Sequence, residues 1–66
     1  MLTNYLSVIK LLKRFGIYIY TGNKIDDIEL ILDEVKDLYD HGLLLKEDYL
    51  KAVLILREEK RKVDVE

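Results

Sequence analysis

Apolar residues recur along this chain in three bands with helical spacing, and one stretch between the first two bands breaks the pattern. In the first band, Tyr5, Val8, Ile9 and Leu12 share one helical face, and Ser7, Lys10, Lys13 and Arg14 lie on the other. The spacing predicts a helix over about residues 4–15, with Thr3 as its N-cap. Gly16 can take the left-handed backbone that ends a helix.

The second band is the most regular. Ile25, Ile28, Ile31, Leu32, Val35, Leu38 and Tyr39 form one stripe over about residues 24–41. Asn23 suits the N-cap, and Asp26, Asp27 and Glu29 bring negative charge to the positive end of the helix dipole. His41 followed by Gly42 is a stop signal, with Leu43 placed for the apolar contact of a Schellman-type end.

The third band predicts a helix over about residues 46–62. Glu47 and Asp48 suit its first turn, and the cations of "REEKRK" suit its last. Its middle, "YLKAVLIL", has Lys51 as the one polar residue. A helix so apolar is expected to be central or covered by another segment. The final "VDVE" is expected to fray.

The exception is "FGIYIYTGN", residues 15–23, where Ile17, Tyr18, Ile19 and Tyr20 alternate as in an extended strand. The alternation places the isoleucines on one side and the tyrosines on the other. The connector at residues 16–22 is expected to lie across the third helix and cover its surplus apolar surface. The pattern therefore predicts an all-α fold: a compact three-helix bundle with a short extended connector between helices 1 and 2. With 66 residues, a single domain over residues 1–66 is expected.

Composition narrows the chemistry. There is no cysteine and one histidine, which excludes disulfides and the usual zinc sites. No apolar run is long enough to span a bilayer. The basic residues of the N-terminal stretch follow its apolar run, opposite to a signal peptide. A cytoplasmic protein is expected, with no membrane partner and no small-molecule cofactor.

Net charge is −2, yet residues 1–24 carry Lys10, Lys13, Arg14 and Lys24 and no acid. Residues 25–48 hold nine acids against Lys36 and Lys46. So strong a split makes local charge a better guide to partners than the net value.

No phosphate-binding glycine loop, EF-hand spacing or nucleophile–base pairing is visible, so no enzyme is expected. His41 reads either as a proton shuttle or a ligand paired with Asp37 or, more simply, as a cation-capable residue in a last helical turn. Asp26, Glu29, Asp33, Asp37 and Asp40 read either as cation ligands or as a solvated face, and on one straight helix they diverge. The basic first third is more informative. Lys10, Lys13 and Arg14 share a face, Tyr18 and Tyr20 follow, and Lys24 comes next. Cations beside aromatic rings suit single-stranded nucleic acid, RNA or DNA, because phosphates need neutralising and bases stack on rings. The plain alternative is that the tyrosines form the wet rim of a connector anchored by its isoleucines. A second function class, interaction with another protein or with a second copy of the chain, draws on the apolar third helix.

The runs "LLKRFGIYIYTGNKIDDIEL", "DLYDHGLL" and "AVLILREE" resemble the YqgQ-like family of small bacterial proteins, found mainly in Firmicutes. The resemblance covers nearly the whole chain. It implies a three-helix fold and a bacterial cytoplasmic setting, and it transfers no catalytic motif. Single-stranded nucleic-acid binding is the family-level expectation that it brings.

Overall fold

The computed structural model describes residues 2–65. Three helices follow in order: α1 (Tyr5–Arg14), α2 (Lys24–Asp40) and α3 (Lys46–Asp64). Among the described residues there is no strand, so the fold is an all-α three-helix arrangement. No described helix is long and apolar enough to cross a membrane.

Each start has a local cause. Asn4, not Thr3, caps α1. Its side chain accepts from the Ser7 amide at 2.9 Å, and the Ser7 hydroxyl accepts from the Asn4 amide at 3.0 Å, a reciprocal capping box. Asn23 caps α2 as expected, accepting from the Asp26 amide at 3.1 Å. Leu45 opens α3 without a side-chain cap.

The ends of α1 and α2 share one device. Gly16 and Gly42 both have φ near +74°. Beyond them the Ile17 amide reaches the Leu12 carbonyl at 3.0 Å, and the Leu43 amide reaches Leu38 at 2.8 Å. These are the long bonds of Schellman ends. Leu43, the residue placed for the Schellman contact, is largely exposed, and its neighbour Leu44 is buried in the core. At the other end of α3, the helix continues into the "VDVE" segment as far as Asp64, and Glu66 lies outside the described residues.

The core takes one face from every helix: Val8 and Leu12, then Ile28, Ile31, Val35 and Leu38, then Ala52 and Leu56, with Leu2 and Leu44 closing it. α2 and α3 run antiparallel. Tyr39, late in α2, stacks on Tyr49, early in α3, with ring centroids 4.4 Å apart, while Lys24 and Glu29, early in α2, pair with Glu59 and Lys60, late in α3. α3 packs mainly on α2 and also on α1, which gives it the central place its composition predicts. Its surplus apolar face, however, is not covered by the connector: Leu50 and Leu54 stay exposed.

Candidate nucleic-acid interface

The connector runs from the end of α1 to Asn23. Ile17 and Ile19 are half-buried against the core, whereas Tyr18 is 73% and Tyr20 88% exposed. The alternation in the sequence is thus an anchor on one side and two wet rings on the other. What fixes the path is a residue read from the sequence only as a dipole partner. Asp27, 7% exposed, accepts through Oδ1 from the Thr21 amide at 2.7 Å and from the Thr21 hydroxyl at 2.6 Å. The Thr21 hydroxyl also accepts from the Asn23 amide at 3.2 Å. Charge-assisted bonds of this kind are stronger than neutral ones, so one carboxylate ties the connector to the first turn of α2.

Lys10, Lys13 and Arg14 are all exposed. Among the described residues none of the three makes an ion pair, unlike Lys24, Lys36, Lys60, Arg61 and Lys62. At roughly 100° per residue, the order around α1 runs Ile9, Lys13, Leu6, Lys10, Arg14, Leu11. The cations therefore cross the exposed back of the helix from one flank to the other. On one flank Lys10 and Arg14 line a concavity with Leu2, Ser7, Leu11 and Asp48. On the other, Tyr5 and Ile9 line a second with Ile19, Tyr20, Lys24 and Asp27.

Lys24 stands apart from the α1 cations. Its Nζ lies 2.6 Å from Glu59 and 4.7 Å above the ring of Tyr5, so it joins all three helices at one end of the molecule. Burial, and next the Asp27 carboxylate, raise the Tyr5 phenol above its ordinary value. Three of the C-terminal cations are held by acids. Lys60 pairs with Glu29, Arg61 with Glu58, and Lys62 lies 4.0 Å from Glu59. The Arg61 bond holds Glu58 below the usual carboxylate range.

The remaining candidates have plain surroundings. His41 is the exposed C-cap of α2, and its Nδ1 bonds the Asp37 backbone carbonyl at 2.8 Å rather than the Asp37 carboxylate. Asp26, Glu29, Asp33, Asp37 and Asp40 all face solvent, with Asp40 paired to Lys36 and Glu29 to Lys60. The Asp40 bond raises the Lys36 ammonium above its ordinary value.

The YqgQ-like family model matches residues 1–62. This chain belongs to the YqgQ-like family. A curated relative, "Uncharacterized protein YqgQ" of Bacillus subtilis (strain 168), is 38% identical over 58 residues, which are 88% of this chain and 82% of that protein. The YqgQ-like name carries no ligand and no reaction.

Proposed function

We propose that this protein is a non-enzymatic module of the bacterial cytoplasm that binds single-stranded nucleic acid. The observation that carries the reading is that Lys10, Lys13 and Arg14 are exposed and, among the described residues, in no ion pair, on the helix that leads into the connector with the exposed rings of Tyr18 and Tyr20. Exposed rings give a base a stacking surface whatever its sequence, at roughly 1–3 kcal/mol per base. Unpaired cations meet phosphates without first breaking a protein ion pair. Lys24 contributes less, because a phosphate there competes with Glu59. The acidic face of α2 keeps the strand on the opposite side by repulsion.

Fluorescence anisotropy with a labelled, unstructured oligonucleotide tests the reading. Binding is expected to weaken with salt, and Tyr18→Ala with Tyr20→Ala is expected to weaken it at least tenfold while the helical circular dichroism is kept. No binding at low salt, or binding indifferent to both changes, rejects it.

A second reading rests on α3. Leu50 and Leu54 lie one turn apart and are 48% and 68% exposed. Glu47 stands three residues before Leu50 and Arg57 three residues after Leu54, and neither is in an ion pair among the described residues. Two copies of α3 laid antiparallel, with Leu50 against Leu54, bring Glu47 of each opposite Arg57 of the other. Apolar and charged positions are thus satisfied by one register. Sedimentation over a concentration range should show a dimer that Glu47→Arg or Arg57→Glu weakens and the double exchange restores. A monomer at all concentrations removes this reading and leaves the first.

A further inference from the structure

The concavity between α1, the connector and α2 has a feature that its role in anchoring the connector does not use. It measures about 380 Å³, within the usual range for small-molecule sites. Tyr5, Ile9 and Ile19 supply apolar wall, and the ring of Tyr20 stands at its edge. Asp27 lines it although only 7% of that residue is exposed. Both hydrogen bonds from Thr21 fall on Oδ1. Among the described residues none reaches Oδ2, and no side-chain oxygen without a partner is fully shut away from solvent. One carboxylate oxygen is therefore fixed by the bonds to its twin and keeps contact with solvent, on a residue that lines an aromatic-edged hollow.

We propose that this hollow is a base-reading subsite in which Asp27 accepts a hydrogen bond from the exocyclic amino group of a base stacked on Tyr20. The inference rests on the nucleic-acid reading above and specifies which bases it favours. Cytosine, adenine and guanine each present an exocyclic amino group on the Watson–Crick edge, and uracil has none. Uracil presents its N3–H between two carbonyl oxygens, and these repel a carboxylate. Because Oδ1 already accepts two bonds, a base meets Oδ2 alone, and the amino group at C4 is the atom that discriminates between cytosine and uracil. Carboxylate recognition of the cytosine amino group follows the ordinary donor–acceptor complementarity of base edges. Lys24, held over Tyr5 by the same cluster, limits the negative potential that Asp27 presents to an incoming strand.

Oligo(C) and oligo(U) of equal length, titrated at neutral pH and matched salt, decide the matter. Oligo(C) is expected to bind roughly tenfold more tightly, the scale of a hydrogen bond to a charged group. Asp27→Asn should keep its oxygen on Thr21 and turn its amide N–H₂ into the hollow. The preference should then fall away or invert toward oligo(U), with the fold checked by circular dichroism. A merely structural Asp27 would weaken both ligands alike. Equal, salt-dependent affinities for the two oligomers overturn the subsite and leave the proposed function standing. Absence of binding by either removes both. Retention of the cytosine preference by Asp27→Asn also overturns the subsite.

Discussion

Tyr5 illustrates how much one half-buried side chain can be asked to do. It packs on the core, lies under the Lys24 ammonium and lines the same hollow as Asp27. Burial and the Asp27 carboxylate raise its phenol above 10.0, while Lys24 acts in the opposite sense. A folded-state value above the unfolded one means that the unfolded chain gives up this proton first. The contribution is therefore complete below about pH 10 and is lost as pH rises through the folded value. Stability measured by urea unfolding should fall above pH 10, and Tyr5→Phe should flatten that fall. An unchanged slope in the variant would assign the loss to other groups. The place of Tyr5 on the apolar face was legible from its spacing with Val8 and Leu12. The work of Asp27 was not. An acid in the first turn of a helix always has a ready explanation in the dipole, and only the path of the connector turns it inward to Thr21.

At the scale of elements, the glycines carry the clearest signals. Gly16 and Gly42 end α1 and α2 where the sequence places the stops, and both have φ near +74°. A Cβ at either position would meet nothing within 4 Å, so Gly42→Ala should cost only the conformational penalty, about 1–2 kcal/mol, with no change in contacts. Equilibrium unfolding checks this, and a loss much larger than that would mean the turn itself had rearranged. Boundaries were less legible where two adjacent residues suit one role. Thr3 and Asn4 can both cap a helix, and Ser7 decides for Asn4 by completing the reciprocal pair. Leu43 and Leu44 compete likewise, and Leu44 is the one that enters the core. The connector was read correctly in its alternation and wrongly in its expected cover of α3. Periodicity gives the faces of a segment but not the neighbour each face meets. The stacking of Tyr49 has no signal in periodicity for the same reason, since its partner Tyr39 lies on another helix.

Across the whole molecule, charge is sorted by helix. The cations of α1 stand unpaired among the described residues, while Lys60, Arg61 and Lys62 of α3 are tied to acids on α2 or on α3 itself. Salt should therefore act unevenly. If Lys10, Lys13 and Arg14 each neutralise one phosphate, log K should fall with log salt at a slope of about −2. Lys10→Gln with Lys13→Gln should bring that slope toward about −0.7, whereas the tyrosine changes should lower affinity and leave it unchanged. A slope insensitive to the lysines would place the phosphates elsewhere. The overall three-helix plan was legible because each helix has its own stripe and stop. The candidate interface was legible as a set of residues, but its layout was not, because helix rotation and the connector together decide which flank each residue joins.

That layout sets a minimum length for the ligand. The hollow beside Tyr20 and the concavity beside Arg14 lie on opposite flanks of α1, with Lys13, Leu6 and Lys10 forming the crest between them. A strand that uses both has to climb over that crest. Very short oligonucleotides can occupy one flank only, and the second becomes available once the strand is long enough to bridge. Affinity plotted against oligonucleotide length should then rise as a step at the bridging length, and the size of that step measures the grip of the far flank.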